Sequence, residues 1–250
     1  FRIPHSMRHF FPKVLKLLRV PLMFPNIVVS AKTRLEFLRE RSVLLVNPNT
    51  NESMPVTDAV IFTGKSSHAE QLRPIFDPRT LFILNGAGHN PVVISSGADL
   101  ERAVQAVLTL TLYNQGQDCA APNTILVHKD MRTAFLTLLQ SELRKVHVGA
   151  YRERVNRAGP ISDLEDLTRI QNILVSNRAW LHETTPGIIR SREAIVEPAI
   201  IEKPLNMGGN FTEVFAPLIF VQEYDTDADL ALYFEDPRYA RNAMYVSLYG

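Results

Sequence analysis

Thr80-Leu81-Phe82-Ile83-Leu84-Asn85-Gly86-Ala87-Gly88-His89-Asn90-Pro91-Val92-Val93-Ile94 is the stretch on which the fold turns. Two short apolar runs, Thr80 to Leu84 and Pro91 to Ile94, flank the flexible Asn85 to Gly88, and runs of this length between turn residues read as strands. Upstream, Ala59 to Thr63 reads as a buried strand running into Gly64, and Val43 to Val46 and Ile27 to Val29 as shorter strands. Glu36 to Arg41 reads as a possible helix between those two, and Asn47 to Ser53 as a turn-rich loop. From His5 to Leu18, Phe10, Phe11, Val14, Leu15, Leu17 and Leu18 recur near helical spacing, and the segment ends before Pro21. Strand and helix therefore alternate, which favours parallel pairing.

Downstream the period changes. Leu100, Ala103, Val104, Val107, Leu108 and Thr111 follow a 3.6-residue repeat behind Asp99, which can cap a helix by accepting from its free N–H groups. That helix ends near Asn114; Gln115 to Cys119 is a loop and Thr124 to His128 a strand. Met131 to Val146 reads as a second amphipathic helix, and Ser162 or Asp163 caps a third through about Ala179. Strands over Ala194 to Ile201 and Leu218 to Tyr224, a helix over Ala228 to Phe234 and a strand over Ala243 to Leu248 complete the pattern. The expected fold is α/β, with parallel strands and helices on both faces, divided near Asn85 to Pro91.

Composition narrows the function. Lys and Arg number 27 against 26 Asp and Glu, so bulk charge gives no reason to expect nucleic acid or an anionic membrane as partner. No apolar run approaches the length a membrane helix needs. The basic start, Arg2 to Arg34 before the first acid Glu36, reads as a solvated helix face or as a targeting or surface-bound segment. Cys119 is the only cysteine, which excludes an intrachain disulfide and multi-cysteine zinc sites and suggests a reducing compartment, here taken as the cytoplasm. The seven histidines form no metal-ligand spacing, and no metal site is expected.

Cys119 follows a polar loop containing Gly116, where backbone N–H groups can face a pocket. A thiolate there is a strong nucleophile, whereas a single cysteine taken alone is more often a small buried hydrophobe. Asp118 beside it raises rather than lowers a thiol pKa. Phe62-Thr63-Gly64-Lys65 is a strand-to-helix turn able to approach a phosphate, without a full phosphate-loop pattern. Glu213-Val214-Phe215-Ala216-Pro217 leads into a strand.

The order of these pieces carries more than any one of them. Phe62-Thr63-Gly64, Leu84 to Val93, Gly97-Ala98-Asp99-Leu100, Asn114 to Cys119, Gly159-Pro160 and Glu213 to Pro217 together resemble the aldehyde dehydrogenase superfamily along the whole chain. The resemblance implies a three-layer α/β/α fold with mostly parallel sheets. It implies the end of a dinucleotide-binding domain over residues 1–88 and a catalytic domain over 89–250, incomplete at its C-terminal end. The N-terminal half of the family's cofactor domain, with its oxyanion-stabilising Asn, and its C-terminal oligomerisation strand have no counterpart here, and with half the dinucleotide fold absent the isolated chain is expected not to turn over. The parent protein is expected to be a homo-oligomer.

Carried over residue by residue, the resemblance makes Cys119 the nucleophile that attacks an aldehyde, passing through a thiohemiacetal and a thioester. It places Glu213 on the nicotinamide ribose hydroxyls and Phe215 beside the cofactor, NAD or NADP, with Phe62, Thr63, Gly64 and Lys65 along the dinucleotide site. Asn85 stands at the separation from Cys119 where hydrolytic members carry a Glu. An amide cannot accept the proton of an attacking water as a carboxylate does, so deacylation by coenzyme A stands beside deacylation by water. Lys65, Ala69 and Ala216 replace a usual Ser, Gly and Gly. These departures leave a degenerate, binding or structural relative as the alternative.

Overall fold

A computed structural model describes residues 44–46, 53–55, 57–150, 152–161 and 164–250. The expected helix over His5 to Leu18, the strand at Ile27 to Val29 and the cap at Ser162 or Asp163 lie outside the described residues. The chain divides into two compact units, Phe1–Asn85 and Gly86–Gly250.

In the first unit, β1 (Leu44–Val46) and β2 (Ser53–Pro55) form an antiparallel pair, so Ser53, expected at the end of a loop, belongs to a strand; residues 47–52 of that expected loop lie outside the described residues. β3 (Ala59–Thr63) and β4 (Leu81–Asn85) pair in parallel, with Thr63 opposite Asn85. The α1 helix (Ser66–Leu72) makes the crossover, anchored by buried Ala69 and Leu72. Successive side chains of a strand point to opposite faces. Phe62 and Phe82 thus stack at 6.5 Å, with Phe76 against Phe82, while Ile61 on the other face is 70% exposed. The expectation of a buried β3 is corrected: Ala59, Ile61 and Thr63 are exposed, and among the described residues only the face of Phe62 and Phe82 is partly covered.

The second unit is built on a six-stranded sheet, ordered β14-β5-β6-β13-β12-β9. Its strands are β5 (Val92–Ile94), β6 (Ile125–His128), β9 (Leu181–Pro186), β12 (Ala199–Ile201), β13 (Leu218–Tyr224) and β14 (Ser247–Tyr249). All neighbours run parallel except β9, which is antiparallel to β12. Alternate residues feed opposite faces. Val92, Ile94, Ile219 and Val221 meet α2 (Leu100–Leu112) and α3 (Lys129–Leu143) through Val104, Leu108, Phe135 and Leu139. On the other side Leu218 and Phe220 meet Ile170 of α4 (Leu164–Ser176), and Val93 and Leu126 meet Tyr233 of α5 (Asp227–Phe234). Burial on both faces is why these strands read as nearly unbroken apolar runs.

Several boundaries follow local chemistry. Asp99 caps α2 by accepting from the Arg102 N–H, and Thr226 and Asp229 form a reciprocal capping box on α5. The expected strand over Ala194 to Ile201 splits in two. β11 (Ile195–Val196) pairs with β10 (Ile189–Arg190), whereas β12 joins the main sheet. Pro198 between them has no N–H to donate, and the Glu197 N–H turns to the Ile188 carbonyl. A short helix α6 (Pro237–Asn242) was missing from the sequence reading, although Asp236 accepting from Arg238 N–H with Pro237 behind it is a helix-start signal. It displaces the last strand from Ala243 to Ser247. β7 (His147–Val148) and β8 (Asn156–Ala158) form a further small pair that short polar sequence did not reveal.

Candidate active site

The cysteine loop begins where α2 is forced to stop. Asn114 and Gln115 adopt φ of 46° and 58°, followed by Gly116 at 70°, three successive left-handed residues that no helix continues through. Side chains hold the turn: the Asn114 amide donates to the Gln117 carbonyl at 2.9 Å and Gln117 Nε2 to the Gln115 carbonyl side-chain oxygen at 3.3 Å. A Cβ on Gly116 would lie 2.4 Å from the Ala216 carbonyl oxygen. Glycine at 116 therefore lets the cysteine loop touch the segment following Glu213.

Cys119 itself is half-buried, and its backbone is held from below. Asn90 is fully buried and its amide donates to the carbonyls of Cys119 at 2.6 Å and Ala121 at 3.1 Å. The Tyr245 hydroxyl donates to the Ala120 carbonyl. Asn123, also buried, accepts from the Asn90 N–H at 2.5 Å and donates to the carbonyls of Gly88 and Thr212. One amide side chain thus ties together the Gly88 turn, the segment after Cys119 and the approach to Glu213.

Glu213 closes the site. Its Oε1 accepts the Gly88 N–H at 3.0 Å, and Arg169 donates to the Val214 carbonyl at 2.7 Å from α4. Phe215 takes φ of 51° to complete the turn. Burial pushes the Glu213 carboxyl above its ordinary value, against the Gly88 N–H and the Arg169 charge that pull it down. Burial also raises the Cys119 thiol, with the charges of Asp118 and Glu213 acting in the same direction and the residue's own N–H opposing them. Glu213 lines a cleft of about 510 Å³ between α4, residues 203–214 and α6.

Cys119, Glu213 and Phe215 therefore belong to one constellation within the second unit. The other sequence-derived residues gather in the first. Phe62, Thr63 and Gly64 end β3, Lys65 begins the turn into α1, and the Gly64 N–H donates to the Asn85 carbonyl at 3.1 Å. The exposed Asn85 side chain donates to the Thr63 hydroxyl at 3.4 Å.

Sequence reading assigned no role to Asn90, Asn123, Asn210, Gln222 or Arg169. Asn210 donates to the Asn123 carbonyl at 2.7 Å, and Gln222, buried inside β13, accepts the Asn210 N–H at 2.9 Å. The available signal was a polar side chain interrupting an apolar run, as Gln222 does after Leu218 to Val221. Buried amides of this kind persist where their hydrogen bonds are satisfied.

The profile of the aldehyde dehydrogenase family matches residues 52–247. The chain belongs to that family. Among its relatives, N-succinylglutamate 5-semialdehyde dehydrogenase of Escherichia coli (strain ATCC 8739) is 26% identical over 199 residues, 76% of this chain and 40% of that protein. Succinate-semialdehyde dehydrogenase [NADP(+)] of Escherichia coli K12 is 26% identical over 218 residues, 81% of this chain and 44% of that protein. The fold is that of solved family members. An E. coli NADP-dependent enzyme superposes with a TM-score of 0.68 at 20% identity, over 77% of this chain and 45% of that one. Betaine aldehyde dehydrogenase from Staphylococcus aureus, in complex with NAD+, gives 0.65 at 20% identity, over 77% and 44%. The chain spans about a third to two fifths of the length of the first curated relatives it matches.

Proposed function

We propose that this chain carries the thiol chemistry of NAD(P)-dependent aldehyde oxidation, with Cys119 as nucleophile and Glu213 as the acceptor for a cofactor hydroxyl. The observation that carries the reading is the half-exposed Cys119 beside Glu213, on a backbone fastened through Gly88, Asn90 and Asn123. In this reading residues 1–88 supply the end of the dinucleotide-binding domain and 89–250 the catalytic domain.

The residues fit a nicotinamide dinucleotide. Glu213 uses Oε1 on the Gly88 N–H, and among the described residues Oε2 has no hydrogen bond, so it is open to a ribose hydroxyl. The cleft beside it is lined by cations suited to phosphate. When bound, the nicotinamide supplies the hydride acceptor, which is the chemistry no side chain provides. Cys119 gives up its proton to solvent, and its sulfur bonds the aldehyde carbon as the carbonyl π bond opens, leaving an oxyanion near the residue's own N–H. With a hydride acceptor bound, that carbon would return to a carbonyl, held as a thioester on Cys119. Burial and two carboxylates raise the thiol pKa, so the thiolate forms against that bias.

Release of the acyl group needs an acceptor. Asn85 offers no carboxylate to take a proton from water, and a thiol such as coenzyme A needs less help because it is already a better nucleophile. Formation of NADH from a panel of aldehydes, with and without coenzyme A, tests this reading together with covalent labelling of Cys119. An inert Cys119 and no NADH in either condition would leave a degenerate, non-catalytic relative, the reading that Asn85 and the raised thiol pKa favour.

A further inference from the structure

His89 stands between the two residues that fasten the site, and the thiol chemistry makes no use of its ring. Gly88 gives its N–H to Glu213, and Asn90 donates to the Cys119 carbonyl. The His89 backbone is itself fixed: its N–H donates to the Asn242 carbonyl at 2.8 Å, and its carbonyl accepts from the Met244 N–H at 3.2 Å. The side chain is fully buried, with the ring centroids of Phe211, Tyr233 and Tyr239 at 5.6, 5.9 and 5.3 Å.

Hydrogen bonds assign the tautomer. The Tyr233 hydroxyl donates to the Asn210 carbonyl at 3.2 Å and lies 2.6 Å from His89 Nε2. Having used its one hydrogen on Asn210, the hydroxyl accepts from His89, so Nε2 carries the proton and Nδ1 is the bare nitrogen. Nδ1 is buried and makes no hydrogen bond. The chain of contacts then closes on itself: Asn210 donates to the Asn123 carbonyl at 2.7 Å, and Asn123 donates to the carbonyl of Gly88, the neighbour of His89.

An imidazolium in this box has no counter-charge. From α6, Asp236 is held by Arg238 at 2.6 Å, and that guanidinium lies 4.6 Å from the Phe211 centroid. Glu213 is engaged with Gly88, and burial keeps the hydroxyls of Tyr233 and Tyr239 protonated. Burial pushes the His89 imidazole below its ordinary value, against the Phe211 backbone, which pulls the other way. The unfolded chain therefore takes this proton more readily. Stability drawn from the neutral ring is present above the ordinary histidine range and is lost as pH falls from that range through the folded value.

We propose that His89 is a positioning residue and the acid switch of the candidate active site: its neutral ring, donating to Tyr233, locks the 88–90 turn against Cys119 and Glu213, and its protonation releases that turn. The function of the switch rests on the reading of Cys119 and Glu213 as a catalytic pair. Releasing the turn uncovers a thiol that is half-buried at neutral pH.

Reaction of Cys119 in the full chain with 4,4′-dithiodipyridine tests this. The sulfur displaces thiopyridone and forms a mixed disulfide, and the rate is scaled to that of a cysteine peptide at each pH. As pH falls from about 8 to about 4, the scaled rate should rise at least about three-fold while circular dichroism still reports folded protein. Its midpoint should coincide with the His89 titration followed by ¹⁵N NMR, which should also show hydrogen on Nε2 at neutral pH. H89Q keeps an N–H for Tyr233 and does not titrate, so it should match wild type at pH 8 and lose the step; Glu213 titrates in both proteins and cancels. Y233F strands the Nε2 hydrogen and should show the raised rate at every pH. A scaled rate without a step, a midpoint apart from that of His89, a step retained in H89Q, or wild-type behaviour in Y233F would overturn the proposal. The midpoint comparison needs only the wild type and decides the matter if a variant unfolds. The reagent reads the thiol's exposure, so absence of NADH formation with the step intact sinks the enzymatic reading alone.

Discussion

A Cβ added to Gly88 would stand 1.7 Å from the carbonyl oxygen of Cys119. The two backbones are in such close approach that only the absence of a side chain at 88 permits it. Both partners are main chain, so no rotamer change can relieve an added methyl. G88A is expected to destabilise the second unit by about 1–3 kcal/mol, measured by denaturant unfolding, because overpacking against backbone forces the chain to shift. It should also change the rate at which iodoacetamide labels Cys119. A variant with wild-type stability and labelling would show that this approach is dispensable.

Asp118 supplies one of the charges that hold the Cys119 thiol above its ordinary pKa. D118N removes that charge while keeping an acceptor for the Ala120 N–H, now bonded at 2.9 Å. The thiolate fraction at any pH below the midpoint should rise, and the iodoacetamide rate at pH 8 should increase about three-fold. The pH–rate curve should move to lower pH with its plateau unchanged. A curve that stays put would remove Asp118 from the electrostatics of the site.

Glu213 is raised by burial, so the folded state holds its proton more tightly than the unfolded chain does. With more protons bound in the folded state, stability falls as pH rises from the ordinary glutamate range through the folded value. E213Q carries no such proton and retains an oxygen for the Gly88 N–H. Its melting temperature relative to wild type should therefore climb across that window, whereas E213A, which strands the Gly88 N–H, should be destabilised by about 1–3 kcal/mol at every pH. Parallel pH profiles for wild type and E213Q would contradict the burial of this charge.

In the proposed reading Asn85 stands where hydrolytic members of the family carry a carboxylate. If the proposed chemistry holds, N85E should speed deacylation by water at least about ten-fold, since a positioned general base contributes on the order of 10²–10⁴-fold. The measurement is steady-state NADH formation without coenzyme A, set beside the rate with it. The rate with coenzyme A divided by the rate without it should fall in N85E; an unchanged quotient would show that position 85 plays no part in the choice of acceptor.

Much of the architecture was legible from residues 80–128 and 218–224. Short apolar runs, an Asp cap and a 3.6-residue repeat are local properties, and β6, α2 and β13 depend on little else. The ordered motifs likewise brought Cys119, Glu213 and Phe215 forward as candidates. Their chemistry belongs to side-chain type, which a sequence states outright.

Where the reading failed, distant contacts decided. Pro198 divides what looked like one strand, because the neighbouring N–H groups find partners in β10 and the main sheet rather than along a single ladder. Only folding brings Gly88 under Cys119, joins Asn123 to both Gly88 and Thr212, and sets Lys203 and Arg241 around one cleft. Those relations span scores of residues. No local pattern encodes them, since hydrogen bonding and charge act through space, and which groups meet is set by how the sheet packs.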